Sequence, residues 1–584
     1  MAKEPPNQTL QRMKGLSSLK RRMKEGDIII MSTDKSSKLA ITDVETYLKL
    51  GEKHIMKDKE ITLKEVAEME KDVNGHTAMF IKMTGMGNEW NQGDRMRTST
   101  ITRSKTLASL FLQLKDHKKT LDTRAVVSAC DSYTVGLSNI LSDFIESVAN
   151  AVNEPCEVIS SEDMLSRIHR CNKDLETLRK QRLENGETLS EDEEKIFIIG
   201  ADVIALFPSM TSVRTARIAR DEVTKSPIEC DGMNYKEMSR YICIMEKMTS
   251  GVEKVRRVLP RRSKDGAKPT DIGIRNREIN SKHVDTEIEW TFPAVEPTNL
   301  EKREMRGIMC EIGVRVLWEN FSYRFGRKIY HQQSGGPIGA RITMACSRLV
   351  MQQWGESYTK ILLKSNIRLR LFGNYVDDIR QGTNLIPKGY KFIKLGDVIE
   401  FRQEWKEQDE MENLSDLKRM GNVCREIMNG INPDLQFTVE SEEDFPNKRL
   451  QTLDFETWTQ PDGTISHSFF EKSMQTPYVT MERSAMSSQQ KHAILANDLI
   501  RRLSMVDQKV DMEEKLEVVN KFTRKLKTSG YNHNQCMELV TSGVRGFLNK
   551  LKNREKNGEE MYRSARSTLG KRIHKKLTEK NNLV

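Results

Sequence analysis

Three aspartates stand where a carboxylate could do chemistry. Asp202 sits near the end of Ile196-Phe-Ile-Ile-Gly-Ala-Asp-Val-Ile204, an apolar run that reads as a fully buried strand. A carboxylate there is expensive to bury unless something pairs with it. Pro208 and Ser209 then turn the chain and start a helix. Asp377 and Asp378 belong to Ile367-Arg-Leu-Arg-Leu-Phe-Gly-Asn-Tyr-Val-Asp-Asp-Ile-Arg-Gln-Gly382. Ile367, Leu369 and Leu371 alternate with Arg368 and Arg370, so this is a half-buried strand that turns back at the two aspartates. Each signal has a plainer alternative: Asp202 as a helix-capping or structural carboxylate, Asp377 and Asp378 as ordinary turn formers. Convergence changes the chemistry. Two such carboxylates repel by roughly 1 kcal/mol at about 4 Å in water, and by several-fold more at lower dielectric. A cluster of this kind wants divalent cations, and oxygen-only donors favour Mg²⁺ or Mn²⁺. Two ions about 3.5–4 Å apart clamp the attacking and leaving oxygens of a phosphoryl transfer.

Several elements must position these groups. Phe321 to His331 reads as a hairpin turning at Gly326. Ser334-Gly335-Gly336-Pro337-Ile338-Gly339 is a glycine-rich loop running into an apolar helix with Ile342, Met344, Ala345 and Leu349. Glycines let backbone approach a nucleotide or base closely, although such a loop is often only a turn. Ile28 to Met31 reads as a short buried strand. Leu137, Ile140, Leu141, Phe144, Ile145, Val148 and Val152 recur with a 3.6-residue period and predict an amphipathic helix over 134–152. Residues 172–195 are almost all polar and predict an exposed helical pair or loop. Ser487-x-x-Gln490 fits a capping box, followed by Leu495, Leu499, Leu503 and Val506 on one helical face. A second face carries Met512, Leu516, Val519, Phe522 and Leu526, and Ser529-Gly530-Tyr531 breaks it.

Length and composition bound the rest. The chain has 584 residues, 37% hydrophobic and 31% charged, enough apolar content for more than one core. Its formal charge of +11 suits a polyanion partner without establishing one. No run of apolar residues is long enough for a transmembrane helix, so no membrane partner is expected. The first residues show no apolar core before a small-residue cleavage site, so no secretory leader is expected. Nine scattered cysteines without a Cys-x-x-Cys spacing read as reduced thiols of an intracellular protein, nuclear or cytoplasmic. Residues 1–26 are basic, with a knot at Lys20-Arg21-Arg22-Met23-Lys24, and read as a solvated or frayed terminus, with a nuclear-import or nucleic-acid patch as the alternative. Residues 254–300 form a polar interruption opening with Lys254, Arg256, Arg257, Arg261, Arg262, Lys264 and Lys268. Residues 541–584 hold twelve Lys and Arg against four Asp and Glu. Both cationic stretches read as solvated surface or as phosphate-binding segments.

The blocks, taken in order, resemble the reverse transcriptases, and within them the retroelement type similar to Penelope-like elements. Leu114-Lys115-Asp116-His117-Lys118 followed by Thr123-Arg124-Ala125-Val126-Val127-Ser128 resembles the fingers strands that hold the incoming triphosphate. Asp202 to Ser209 resembles the first palm motif, Ser334 to Thr343 the glycine-rich motif, and Tyr375-Val376-Asp377-Asp378 the palm hairpin. Leu450-Gln-Thr-Leu453-Asp454-Phe455 and Phe469-Phe470-Glu471-Lys472 are similar to the strands that seat a primer. Asp34-Lys35-Ser36-Ser37-Lys38 resembles an N-terminal block of the same retroelements. Ala125 and Ile338 depart from the family pattern, where proline and often glutamine stand.

The resemblance implies an α+β right-hand polymerase. Its expected parts are a disordered basic N-terminus at 1–26, an N-terminal extension at 27–110 and fingers at 111–195. Palm segments at 196–250 and 321–475 flank a polar insertion at 251–320. A helical thumb at 476–551 and a basic tail at 552–584 complete the chain. It implies two Mg²⁺ (or Mn²⁺) ions on Asp202, Asp377 and the Val203 carbonyl, with Asp378 in support. Lys115, Lys118 and Arg124 are expected to neutralise a dNTP triphosphate. Phe207, Gly336, Pro337 and Gly339 complete the expected nucleotide site, and Tyr375, Leu453, Asp454 and Lys472 the expected primer and template contacts. Phe207, under the expected sugar, should clash with a 2′-hydroxyl and select deoxynucleotides. The implied partners are an RNA template, a DNA primer and dNTPs. The alternatives are an RNA-dependent RNA polymerase and a nucleic-acid-binding protein that kept the hand and lost catalysis.

Overall fold

The computed structural model describes residues 6–34, 38–84, 106–115, 120–151, 156–187, 195–227, 233–235, 238, 260–261, 270–271, 298–337, 339–364, 367–384, 390–395, 398–403, 415–471, 476–507 and 512–556. Lys118, Ile338, Lys472, most of 254–297 and the tail beyond 556 lie outside them. The chain divides into two compact units, one built from Met1–Asp34, Lys38–Glu154 and Ile204–Glu356, the other from Lys35–Ser37, Pro155–Val203 and Ser357–Val584.

In the first unit a five-stranded sheet runs in the order Lys59–Glu60, Lys328–His331, Ser322–Phe325, Ala108–Leu114, Thr123–Ser128. The expected hairpin turns at Gly326, whose φ of +60° is the left-handed conformation glycine adopts without strain. The helix predicted around 134–152 spans Val135–Ala151 and buries Leu137, Ile140, Leu141, Ile145 and Val148. A capping box of Thr298 and Glu301 starts the helix Asn299–Glu319, which lies against Ser212–Lys225. Gly307 permits that approach, because a Cβ there would sit 2.7 Å from the Arg220 carbonyl. The N-terminal reading needs correction. Residues 1–26, expected to be frayed, include a helix at Pro6–Glu25. Its Gln, Leu, Met, Lys and Arg are good helix formers, and Arg22 and Lys24 complement the negative end of its dipole.

The second unit is organised on a four-stranded antiparallel sheet. Its strands are β1 (Phe197–Val203), β2 (Leu369–Tyr375), β3 (Asp378–Thr383) and β4 (Phe437–Ser441), in the order β2-β3-β1-β4. Ile198 and Ile199, which point to opposite faces, are both buried, which accounts for the unbroken apolar run of β1. One face packs Val158, Met164, Leu165, Ile168, Ile198, Leu371 and Phe455 into a core. Part of it comes from helix α1 (Ser161–Glu184), capped by Ser160 accepting from the Asp163 N–H. Residues 172–184, read as part of an exposed pair or loop, are thus the continuation of one helix, fixed by buried Cys171 and Leu175. The other face meets helix α2 (Asp416–Ile431). There buried Gln381 accepts from the Tyr358 hydroxyl at 2.7 Å and donates to Cys424 Sγ at 3.1 Å.

A three-stranded sheet (Leu450–Thr452, Phe455–Thr459, Ile465–Phe469), a two-stranded one (Tyr390–Leu395, Val398–Gln403) and three helices (Ser488–Ser504, Met512–Thr528, His533–Lys556) also belong to this unit. The capping box of Ser487 and Gln490 is present. Leu495, Leu499, Leu503 and Val506 pack with Leu516, Val519, Phe522 and Leu526 in one core. Phe522 is fully buried in it. Phe522→Ala is therefore expected to lower the unfolding free energy by about 3–5 kcal/mol, read from the urea midpoint followed by circular dichroism. A shift below about 1 kcal/mol would show that the helices do not fold around this ring.

Candidate active site

The strand register brings the acidic residues together. Asp378, the first residue of β3, is the cross-strand partner of Asp202 in β1. Partners of this kind hold their Cα atoms about 4.5–5.5 Å apart. Tyr375 pairs with Asp378 across the β2–β3 hairpin, so Val376 and Asp377 form its two-residue turn. The Asp377 carbonyl accepts from the Val203 N–H at 3.1 Å, which ties the turn to the end of β1. Val376 has φ of +60°, an outlier for a β-branched residue, and such strain costs of order 1–3 kcal/mol.

The electrostatics follow from the crowding. Partial burial, then the charges of Asp377, Asp378 and Glu440, push the Asp202 carboxyl up to about 6, against an opposing pull from Arg380. Asp202 still reaches solvent, so much of the burial contribution is screened. No ion pair reaches Asp202 or Asp377 among the described residues. Asp378 differs, with its Oδ1 2.6 Å from Arg380 Nη1. No ready-made group of three or more His, Cys, Asp or Glu for a metal ion is present among the described residues. The donor chemistry nevertheless fits a hard divalent cation. Asp202 and Asp377 offer oxygens only, and the neighbouring carboxylates add negative charge around Asp202.

The expected primer residues Leu453 and Asp454 form another two-residue turn, between Leu450–Thr452 and Phe455–Thr459, with Leu453 at φ +50°. Asp454 Oδ2 is 2.5 Å from Arg501 Nη1 and accepts from Ser161 Oγ at 3.3 Å. Tyr375 is exposed.

The expected nucleotide residues lie in the first unit and fall into two groups. Lys115 and Lys53 both pair with Asp122, holding its carboxyl well below the ordinary carboxylate range. Arg124 pairs with the buried carboxylate of Asp34 at 2.9 Å. The second group is the glycine loop. The Phe207 carbonyl accepts from the Gly336 N–H at 2.8 Å, and the Pro337 carbonyl accepts from Thr343 Oγ1 at 2.7 Å. Gly339, at φ +84°, would place a Cβ 1.7 Å from the Val127 carbonyl, so no other residue fits there.

Sequence reasoning missed two residues that hold these sites. Gln332 Nε2 reaches the carbonyls of Ser334, Gly335 and Gly336 at 2.9, 3.1 and 2.8 Å and fastens the loop. Nothing in its immediate sequence distinguishes it from Gln333. Arg380 could have been sought from the isolated glycine at 200, because a lone glycine inside a strand marks a close approach.

No family model matches the chain, and no curated protein matches it. Among solved structures it is similar to telomerase from Candida albicans in complex with a TWJ fragment of telomeric RNA. That pair is 11% identical with a TM-score of 0.43, covering 92% of this chain and 68% of the other. Apo telomerase from Candida tropicalis is 9% identical with a TM-score of 0.40, covering 89% and 70%. The BmCPV RNA-dependent RNA polymerase at its elongation state is 13% identical with a TM-score of 0.35, covering 82% and 30%. Likeness at these scores does not establish a shared fold.

The Asp202 shift makes a signed prediction for the metal-free protein. Its carboxyl holds a proton more tightly folded, at about 6, than at the ordinary value of 3.8. The folded state therefore loses stability as pH rises from the unfolded value through the folded one, and the full loss is present above it. Asp202→Asn avoids that loss. In EDTA its unfolding free energy, read from urea midpoints, should exceed that of the parent by a margin that widens between acidic and neutral pH. The margin is of order 1 kcal/mol once solvent screening is allowed for. A margin independent of pH would show that Asp202 is not charge-crowded.

Proposed function

We propose that this chain is a template-directed nucleotidyltransferase, and specifically an RNA-directed DNA polymerase of the retroelement class its motifs resemble. The reading rests on one observation: Asp202 and Asp378 are cross-strand neighbours, with Asp377 in the strained turn between Tyr375 and Asp378. The expected fingers, palm and thumb belong to the same proposal. Asp202 and Asp377, with the Val203 carbonyl, hold divalent cations, Mg²⁺ or Mn²⁺. When bound, such ions supply Lewis-acid stabilisation to the oxygens of the transferring phosphoryl group.

The remaining roles are those of the chain's own side chains. Lys115 and Arg124 exchange their carboxylate partners for triphosphate oxygens, and the arginine fork suits bidentate contact. Gly336, Pro337 and Gly339 present backbone to the nucleotide. Phe207 closes the space a 2′-hydroxyl needs. Tyr375, Leu453 and Asp454 line the primer end, on an RNA template. Catalysis is positioning and charge stabilisation rather than covalent chemistry. No helix among the described residues is long and apolar enough to cross a membrane.

Extension of oligo(dT) on poly(rA) by the purified chain, with Mg²⁺ or Mn²⁺, tests the reading. Dideoxynucleotide-sensitive incorporation of dTTP is expected, falling by roughly 10²–10³-fold or more in Asp377→Asn while template binding persists. Phe207→Val should relax the rejection of ribonucleotides. Incorporation of ribonucleotides alone by the intact chain would replace this reading with an RNA polymerase. Template binding without any extension would replace it with a binding protein.

A further inference from the structure

The row of residues behind the aspartates carries a further assignment. On the sheet face that bears Asp378 and Asp202, the next cross-strand row reads Gly373, Arg380, Gly200 and Glu440. Arg380 is 6% exposed. Gly200 leaves room for its guanidinium, while Gly373 leaves room for α1. A Cβ at Gly200 would fall 2.9 Å from Arg380 Nη1, and one at Gly373 would strike Met164 Sδ of α1 at 2.6 Å.

A guanidinium has five N–H donors in a rigid fork, and an acceptor stands within reach of each. Nε donates to Thr452 Oγ1 at 2.9 Å, and Nη1 donates to the Ile379 carbonyl at 2.7 Å. Nη2 donates to the Gln451 carbonyl. Nη1 also meets Asp378 Oδ1 at 2.6 Å, and Nη2 meets Glu440 Oε1 at 3.5 Å. Two backbone carbonyls and a hydroxyl therefore fix the plane of the fork, and Asp378 is held at one of its corners. A buried arginine without such partners would be strongly destabilising. The arrangement makes Asp378 an already neutralised carboxylate, unlike Asp202 and Asp377.

We propose that Arg380 is a positioning residue for the acidic site: it balances the charge of Asp378 and turns that carboxylate into a strut, leaving the cation to Asp202 and Asp377. The proposal rests on the cation-site reading above and adds that Arg380 withholds Asp378 from the cation. It predicts unequal aspartates, although Asp377 and Asp378 are adjacent and chemically identical.

The test titrates the full-length chain with Mn²⁺ alone and reads free Mn²⁺ by electron paramagnetic resonance, so no turnover is needed. Asp202→Asn and Asp377→Asn should each weaken binding by more than about tenfold, whereas Asp378→Asn should change it by less than about threefold, the difference being loss of an unscreened against a paired charge. Arg380→Gln, which unmasks Asp378, should tighten Mn²⁺ binding by roughly threefold to tenfold. That gain should vanish when Arg380→Gln is combined with Asp378→Asn. Equal losses from Asp377→Asn and Asp378→Asn would overturn the proposal while leaving the cation site standing. Unchanged or weaker binding in a folded Arg380→Gln would do the same. If Arg380→Gln does not fold, the comparison of the three aspartate variants decides alone. Absence of any Asp202-dependent Mn²⁺ binding in the intact chain would remove both readings.

Discussion

Everything at the acidic site depends on strand register. Asp202 and Asp378 are far apart in the chain, yet they meet because β3 pairs with β1 in one alignment. A slip of one residue would send every side chain of a strand to the opposite face. That slip is blocked from both sides of the sheet. Ile198 and Leu371 are locked into the core on the aspartate face. Gln381 is bound between Tyr358 and Cys424 on the other. The apolar packing that looks remote from the chemistry is therefore what keeps three negative charges in one place.

Crowding those charges works against folding, and the structure shows where the opposition is met. Val376 sits in a backbone conformation that a β-branched residue avoids. Asp202 holds its proton more tightly than a free aspartate. Arg380 offsets part of this from within the sheet, where water cannot weaken it. The acidic row lies at the open strand ends and the arginine row one step inside. The sheet thus passes from solvent to dry core over two rows, with one cation at the border.

Much of this was legible in the sequence because the signals are local. The β1 strand announced itself by an unbroken apolar run, the β2–β3 hairpin by alternation followed by Asp-Asp, and the Ser488–Ser504 helix by its capping box. Helix Val135–Ala151 followed from a 3.6-residue period. What escaped is of two kinds. Residues 172–184 carry so many charges that their few buried anchors, Leu175 foremost, are hard to see, and the segment reads as an exposed helical pair or loop rather than the end of one packed helix. The N-terminal helix was hidden in the same way by its lysines and arginines. Arg380 escaped for a different reason. Its importance lies in lateral neighbours from β1, β2 and β4, and no window along the chain contains them. Only Gly200 leaves a trace of it, as a glycine where a strand would prefer a branched side chain.

The first unit repeats the logic of balanced charge with the signs reversed. There cations, not carboxylates, are expected to meet a ligand, and neither described one stands alone. Arg124 is held by Asp34, whose second oxygen is buried and has no hydrogen-bond partner among the described residues. Lys115 shares Asp122 with Lys53. Under the proposal above, a phosphate would compete with a carboxylate already in place, which lowers its net gain but fixes the cation's position beforehand. Arg124 is the better prepared of the two, since a half-satisfied carboxylate anchors its fork while much of its side chain remains open to solvent. A fully satisfied partner would hold it more tightly and offer it less readily.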